Sequence, residues 1–298
     1  MIHTQAYLGG FMIKQLTLAT ALVTILASAS FAQTTPRLEQ IELAIASAEA
    51  ACANGAPSCA DLLQLAIGSI AAAPVPAATR IRLVASAAAR VTQSLPANME
   101  STNVATLTAG AGRLAVQVMS SIVGGGGPAA ERAATLAAVA AAIEQISAAS
   151  TSKAAERPEV AAQITSDLIT QIGRAPMPAA ARIEALSIAA AQVTGSLPAS
   201  VSSAVATASI TVIVQTAATR TRTIVDNAPP NEAGAVQAAV ATGRSAIVTA
   251  AARQAARRPG SAAAISQLIS TTDPAGQNAP SGIVPVIDIV PFPRASPT

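Results

Sequence analysis

The feature that most constrains this chain is an internal duplication. Residues 73–97 and 175–199 are identical at 16 of 25 positions, and nine of the identical residues are not Ala. An Ala-rich composition alone does not produce such a match, so the sequence predicts equivalent structural units with a period of about 102 residues. We place these units at about 57–157 and 158–258, with a partial third copy at 259–272.

A weaker half-period is marked by proline. Pro76, Pro128, Pro178 and Pro230 are spaced by 52, 50 and 52 residues. Proline fits the first turn of a helix, where its missing N–H has no partner to lose, so we interpret these residues as helix starts. With the Gly and Asn clusters they predict a series of helices across a repeat domain of residues 33–272. The expected helices lie near residues 37–53, 59–72, 77–94, 98–122, 129–150, 159–172, 179–196, 199–225, 231–257 and 261–270.

The apolar residues of the chain are mostly small. Hydrophobic residues make up 51% of the sequence, which excludes wholesale disorder, yet there is no Trp, one Tyr and only three Phe. Ala is the strongest helix former, and the β-branched and aromatic runs typical of strands are scarce. We therefore expect an all-α, Ala-rich tandem helical repeat. It is either an α-solenoid of antiparallel helix pairs or two fused four-helix bundles.

Each repeat carries an apolar stripe with a 3, 4, 3, 4 spacing. This spacing places the residues on one helix face and predicts nearly antiparallel packing where connections are short. We expect every stripe residue to be buried. The positions are Ile81, Val84, Ala88, Val91 and Leu95, their counterparts Ile183, Leu186, Ala190, Val193 and Leu197, and the similar set Leu136, Val139, Ile143 and Ile146.

One long segment, residues 185–219, contains no charged residue. Its length and apolar content resemble a membrane span, but Pro198 interrupts it and Ser and Thr are frequent. The corresponding segment of the first copy carries Glu100 and Arg113. We therefore expect a buried helix here rather than a membrane span.

The N-terminal segment has the pattern of a secretory signal peptide. From Met12, a charged Lys14 precedes an apolar run over residues 16–26 and small residues that end at Ala32. The run is shorter than the roughly 20 residues of a spanning helix, which favours a cleaved signal over an anchor. We expect residues 1–32 to be removed, with Met12 as the candidate start of translation. The mature protein is then periplasmic or secreted and has no transmembrane anchor.

Cys52 and Cys59 are the only cysteines. An oxidising compartment favours a disulfide between them. Asn54-Gly55 is typical of a helix end, and Ser58 with Asp61 three residues later is typical of a helix start. We expect a disulfide that staples a helical turn, worth about 2.5 kcal/mol by the loop-entropy relation. A redox or metal pair is the less favoured alternative, because CxxC spacing and accompanying His or Cys ligands are missing.

The sequence lacks the side chains that most enzymes use. His3 is the only His and lies in the expected signal peptide, and Lys153 is the only Lys after residue 32. The commonest general base and metal ligand is therefore missing from the mature chain. We expect no catalytic, cofactor-binding or metal-ligating residue and a protein that is not an enzyme.

Scattered carboxylates and one glycine run are the remaining candidates for a site. Asp167 with Glu184, or Glu131 with Glu144, would meet only if the fold brought them together, and we interpret them as solvated. Residues 124–127 are four glycines followed by Pro128. Without a strand before it or a Lys after it, this run is interpreted as a connection between helices and not as a phosphate loop.

Basic residues gather late in the chain, where few carboxylates accompany them. No aromatic side chains stand beside them, so we interpret the group as a solvated face and expect no nucleic-acid partner. The residues are Arg220, Arg222, Arg244, Arg253, Arg257 and Arg258, opposed by Asp226 and Glu232.

The C-terminal tail, residues 273–298, departs from the helical pattern because it is rich in Pro and Gly and carries an apolar run. Pro285 and Pro291 bar it from a helix and from a central strand. We leave two alternatives open: a docking peptide for a partner, or a segment that folds back over the repeat or stays disordered. The candidate docking residues are Ile283, Val284, Val286, Ile287, Ile289, Val290 and Phe292.

These features favour an exported, non-enzymatic scaffold or binding protein that presents a helical face to an unknown protein or envelope polymer. The alternative is a peripheral surface-active protein that coats lipid or a hydrophobic polymer through amphipathic Ala-rich helices. A surface-active helix should carry Lys or Arg on one face and Leu or Phe on the other. These helices are rich in small residues and weakly charged, which favours the scaffold.

Overall fold

The structure, a computed structural model, describes residues 38–271. In this range it contains ten α-helices, two short 3₁₀ turns and no strand, so the expected all-α fold class is confirmed. The expected signal peptide and C-terminal tail lie outside the described residues. The helices are α1 Leu38–Ala53, α2 Cys59–Ala71, α3 Ala77–Ser94, α4 Ser101–Gly124, α5 Ala129–Glu156, α6 Ala161–Ile172, α7 Ala179–Ser196, α8 Ser203–Asp226, α9 Ala233–Arg257 and α10 Ala262–Thr271.

The helix boundaries follow the sequence signals closely, with three clear differences. Helix α8 begins at Ser203 instead of near residue 199, after a turn in which the Val201 N–H donates to the Pro198 carbonyl at 3.1 Å. Helix α4 begins at Ser101 instead of near residue 98, because Pro96 and the residues after it form a turn in which the Met99 N–H donates to the Pro96 carbonyl at 3.1 Å. Helix α5 continues to Glu156 instead of ending near residue 150. Its Ser and Thr residues favour an ending less strongly than Pro does, and the helix stops only just before the Arg157-Pro158 pair.

The helices form two layers. Odd-numbered helices contact the next odd-numbered helix in the series α1, α3, α5, α7, α9. Even-numbered helices do the same in the series α2, α4, α6, α8, α10, and consecutive helices join the two layers. Helix α3 packs most extensively on α5, and α7 packs most extensively on α9 one repeat later. Equivalent helices in the two copies therefore make equivalent contacts.

Helices α7 and α9 run side by side in the same direction. At their N-terminal ends, the Ala179 N–H donates to Glu232 Oε2 at 2.7 Å. Near their C-terminal ends, Gln254 Nε2 donates to the Gly195 carbonyl at 3.0 Å. The stripe of α7 was expected to meet an antiparallel neighbour, but its most extensive partner is parallel. The packing partner is the helix two positions along the chain, and local connection length does not determine that choice.

A single apolar core runs through both layers from Ile41 to Leu268. The stripe residues of α3 and α7 are all buried in it, as expected. In α5, Val139, Ile143 and Ile146 are also buried, but the prediction for Leu136 was wrong, since it is 36% exposed. Leu136 lies in the first part of α5, next to an exposed N-terminal turn.

Small residues allow the parallel helices to approach closely. A Cβ added to Gly243 of α9 would lie 2.7 Å from the Cβ of Ser187 in α7, closer than real side chains come. A Cβ added to Gly112 of α4 would lie 3.0 Å from Cδ of Gln171 in α6. Glycine at position 243 is therefore required by the neighbouring helix, whereas a side chain at position 112 would displace the flexible end of Gln171.

Candidate functional site

A groove opens between the two layers at the C-terminal end of the array. It is lined by residues of α7, α8, α9 and α10, with an empty volume of about 530 Å³ that includes the part open to solvent. The lining is mainly apolar, including Ile183, Val214, Val240 and Ile247, and Arg244 contributes a positive charge. The groove therefore combines an apolar lining with one cationic side chain.

The same positions are closed one repeat earlier. In α9, an offset of 101 residues aligns Arg258 with Arg157 and therefore Arg244 with Ile143. In α8, the 102-residue offset of the apolar stripes aligns Thr221 with Met119. Met119 and Ile143 are both buried, at 0% and 2% exposure. The second copy thus has a Thr and an exposed Arg in place of two large apolar side chains. This replacement opens the groove.

An exposed face of α8 carries no charge from Val205 to Thr219, and the same spacing then continues to the charged Arg222 and Asp226. Val205, Ala208, Val212, Gln215 and Thr219 are all exposed and follow a 3, 4, 3, 4 spacing. We call this set the α8 stripe. Val205 and Val212 are 44% and 43% exposed, high values for apolar side chains. Leu38, Leu43 and Leu65 are more exposed, so the distinguishing property of the α8 stripe is its lack of charge over five successive positions.

The corresponding face of α4 is polar. Asn103, Thr106 and Arg113 occupy the positions that Val205, Ala208 and Gln215 hold one repeat later, and all three are exposed. The two copies therefore share a core but differ at the surface. The difference makes α4 a natural control for α8.

Two buried or half-buried cations of α5 and its following turn bind the C-terminal end of α3. The Lys153 side chain is 7% exposed. Its Nζ donates to the Leu95 carbonyl at 2.9 Å and to Glu156 Oε2 at 2.8 Å. Arg157 Nη2 donates to the Met99 carbonyl at 3.0 Å. Cations at a helix C-terminus interact favourably with its dipole, so these groups have a structural role.

Gln254 and Arg258 repeat this arrangement at the C-terminal end of α7. Both residues are buried, and Arg258 donates to the Leu197 carbonyl at 3.4 Å and to the Pro198 carbonyl. The prediction that the late arginines form a solvated face was therefore wrong for Arg258. It holds for Arg222, Arg244, Arg253 and Arg257, which are exposed.

The candidate carboxylate pairs do not form acid–base sites. Glu184 is exposed, and the charge that acts on Asp167 is Arg113. Burial raises the pKa of Asp167, while the Arg113 guanidinium opposes that rise. Glu131 and Glu144 lie on the same helix, roughly 20 Å apart along its axis, and cannot meet. Over residues 38–271 no cluster of three or more metal-ligating side chains is present.

Glu159 is held in its charged form. Its side chain accepts a hydrogen bond from the Ser101 hydroxyl, and Arg157 Nη1 lies 3.7 Å from its Oε1. These contacts lower the pKa of Glu159, the Ser101 hydrogen bond contributing most. Because Ser101 begins α4 and Glu159 precedes α6, the contact ties together the starts of two neighbouring helices.

The sulfur atoms of Cys52 and Cys59 lie at disulfide distance, 2.02 Å apart, and both residues are buried. Gly55 in the turn between them has φ of 65°, the left-handed conformation expected of glycine after a helix. Ser58 precedes α2 as expected, but its side chain makes no capping hydrogen bond. The helix start that Ser58 and Asp61 indicated is therefore confirmed, without a side-chain cap.

The glycine run connects α4 to α5, as expected. Gly124 ends α4, and Gly126 and Gly127 have φ of 75° and 146°. All four glycines are exposed. The turn brings the chain from one layer to the other.

One helix within residues 38–271, α5, is long and apolar enough to cross a membrane by length and composition. Half of its most apolar window is buried against other helices. The uncharged segment 185–219 is divided between α7 and α8, with exposed residues at the break. Both helices bury one face in the core, but α8 also exposes Val205, Val212 and their neighbours, so the expectation of a buried helix holds for one face only.

The groove is the feature that sequence reasoning missed. Arg244 was grouped with solvated arginines, although it stands beside apolar side chains from four helices. The replacement of Met119 by Thr221 and of Ile143 by Arg244 was visible in the aligned repeats and is the signal that could have found it. Comparison of the chain with protein-family models, with curated proteins and with solved structures gives no match.

Proposed function

We propose that this protein is an exported, non-enzymatic α-solenoid that binds an exported protein or envelope polymer through its outer helical surface. The α8 stripe carries the proposal. It combines the exposed Val205 and Val212 with uncharged neighbours. The corresponding face of α4 in the first copy is polar. Because the core is kept while this outer face changes between the copies, we infer that the face serves contact with a partner.

A solenoid is favoured over two fused four-helix bundles by the contacts between the copies. Helices α4 and α5 of the first copy contact α6, and α5 also contacts α7. The packing therefore continues across the boundary between units, whereas fused bundles would each close around their own core. The single core from Ile41 to Leu268 supports the same arrangement.

The binding proposal is tested with a matched pair of surface variants. Val205→Lys places a charge in the α8 stripe, and Asn103→Lys places the same charge at the equivalent position of α4. Both positions are exposed, so neither variant should change the circular dichroism spectrum or Tm. Tagged full-length proteins are used to capture partners from envelope and culture-supernatant fractions.

We expect a component to be retained by wild type and by Asn103→Lys but lost with Val205→Lys. Equal capture by all three proteins would place binding elsewhere and overturn the role of the α8 stripe. Capture by none of them, at concentrations that saturate the resin, would count against a tight-binding partner.

Export is supported by the signal-like pattern that ends at Ala32 and by the paired cysteines. Mass spectrometry of the exported protein should give an N-terminus at Gln33. An intact terminus at Met1 or Met12 would overturn the export part of the proposal and leave the binding part to its own experiment.

A peripheral surface-active protein is the second candidate function. The apolar length of α5 favours it, since opening of the array would release a helix able to enter an interface. Co-sedimentation with anionic and zwitterionic vesicles distinguishes the two functions. Vesicle binding that increases hydrogen exchange in α5 supports a surface-active function. If the protein does not bind vesicles, the scaffold function is favoured.

A further inference from the structure

We propose that the groove between α7, α8, α9 and α10 is the docking site of this chain's own C-terminal tail. The segment that occupies it is the apolar run from Ile283 to Phe292. This inference is independent of the partner-binding proposal, which rests on the α8 stripe.

The groove lies at the C-terminal end of the described helices, where α9 and α10 meet α7 and α8. In the first copy, α5 and α6 both contact the following helix, α7. The equivalents of α5 and α6 one repeat later are α9 and α10, and over residues 38–271 no helix follows α10. The apolar side chains of α9 that would face such a helix remain half-buried, including Val240, Ile247 and Val248.

The C-terminal tail begins beside the groove. It continues from α10, whose Ile269 lines the groove. Pro280 stands at the same 102-residue spacing from Pro178 as Pro178 does from Pro76, and those two prolines precede α7 and α3. The tail therefore occupies the sequence position that α3 and α7 hold in the earlier copies. Because Pro285 and Pro291 prevent a helix, it docks as an extended segment.

Length and apolar character agree with docking in the same chain. Twelve steps separate Thr271 from Ile283, enough to span about 40 Å when extended, several times the separation of packed helices. The run is apolar except for Asp288, and the groove is apolar except for a few polar groups that include Arg244. Burial of Ile287 and Ile289, which lie on one face of an extended segment, would supply the main free energy, and Asp288 on the opposite face would remain in solvent.

Hydrogen exchange of the full chain and of a chain ended at Thr272 tests the proposal. With the tail present, amides of α9 and α10 around the groove should exchange roughly tenfold more slowly, which corresponds to docking by about 1.4 kcal/mol. Amides of α3 and α5 should be unaffected in both proteins. Equal exchange around the groove in the two proteins would overturn the proposal.

Two full-length variants separate specific docking from a general effect of tail length. Ile287→Asp with Ile289→Asp charges the apolar run, and Ala295→Asp with Ser296→Asp places the same charges beyond it. The first variant should exchange like the shortened chain and the second like wild type. Protection that survives the first variant would contradict docking through these residues.

The groove could instead receive the tail of a second copy. Docking within one chain predicts protection that is independent of protein concentration and a monomer mass by light scattering. Protection that increases with concentration, together with a dimer mass, would overturn docking in the same chain.

Discussion

Lys153 and Gln254 occupy equivalent positions one repeat apart, and each donates to the carbonyl of the leucine that follows a central helix. Lys153 Nζ lies 2.9 Å from the Leu95 oxygen, and Gln254 Nε2 lies 3.4 Å from the Leu197 oxygen. A cation and a neutral amide thus satisfy the same backbone acceptor. In the second copy the buried Arg258 guanidinium also donates to the Leu197 oxygen, so the amide and the cation share the acceptor that Lys153 contacts at Leu95.

Substitution at Lys153 should separate the contribution of the donor from that of the charge. Lys153→Gln copies the residue found one repeat later and should lower the free energy of unfolding by less than about 1 kcal/mol. Lys153→Met keeps the apolar part but leaves the Leu95 carbonyl without this donor, at a cost of about 1–3 kcal/mol. Urea denaturation followed by circular dichroism measures both. Equal losses for the two variants would show that the charge itself is needed.

The Cys52 and Cys59 pair should remain oxidised in the exported protein. Thiol titration of the unfolded, unreduced protein should find no free thiol, and two free thiols would contradict the pairing. The double variant Cys52→Ala with Cys59→Ala should lose about 2.5 kcal/mol, because the loop closure is absent from its unfolded state. Reduced wild type serves as the control, since it should lose a similar amount.

Close packing of α7 on α9 should make Gly243 intolerant of a side chain. Gly243→Ala brings a Cβ to 2.7 Å from the Ser187 Cβ and should destabilise the protein by about 1–3 kcal/mol, despite the better helix propensity of Ala. Adding Ser187→Gly removes the facing atoms and should restore most of the loss. Thermal denaturation of the two single variants and the double variant gives the interaction free energy between positions 243 and 187. Additive effects would mean that the two residues do not meet.

The stability of the protein should respond in opposite ways to neutralising Asp167 and Glu159. The folded pKa of Asp167 is raised by burial, so its ionisation destabilises the fold as pH rises from its ordinary value of 3.8 through the folded value. Asp167→Asn should therefore raise Tm at neutral pH. In strong acid the carboxyl of Asp167 is already neutral, so the substitution removes no charge and this gain in Tm should disappear.

Glu159 has the opposite sign. Its folded pKa lies below the ordinary value of 4.5, so it stabilises the fold above that value and loses the contribution as pH falls through the folded pKa. Glu159→Gln should lower Tm at neutral pH, with a difference that disappears in acid. Tm measured from pH 2 to pH 7 for both variants tests the signs. The same sign for both at neutral pH would contradict the assigned environments.

The helices were predictable because their boundaries are set by local residues. Pro76 and Pro178 precede α3 and α7, and Gly124 ends α4, as the sequence patterns indicated. Leu136 and Arg258 were not placed correctly, because burial depends on which other helix covers each turn. A 3.6-residue period identifies an apolar face but does not specify its partner.

The groove could not be predicted for the same reason. It requires α7, α8, α9 and α10 to meet, and the most extensive of those contacts joins two parallel helices. The sequence contained only the difference between copies, Thr221 for Met119 and Arg244 for Ile143. A substitution between repeats becomes a candidate site once the positions are known to converge.

The two copies should respond alike to loss of their last stripe residue. Leu95 and Leu197 follow α3 and α7, are 2% and 1% exposed, and each has its carbonyl bound by the helix two positions on. Leu95→Ala and Leu197→Ala should each cost on the order of 2–5 kcal/mol, because each leaves a cavity beneath the end of a central helix. Leu65→Ala is the control, since Leu65 is 49% exposed and its truncation should cost less than about 1 kcal/mol.

Equivalence of the copies also fixes the expected pattern of unfolding. Residues 59–123 and 160–225 should superpose as matching helical units, so hydrogen exchange in each single variant should increase most in its own copy and less in the neighbouring one. Leu197→Ala should affect α7 to α9 most strongly, and Leu95→Ala should affect α3 to α5. If one of these variants were silent while the other unfolded the whole chain, the two leucines would not occupy equivalent cores.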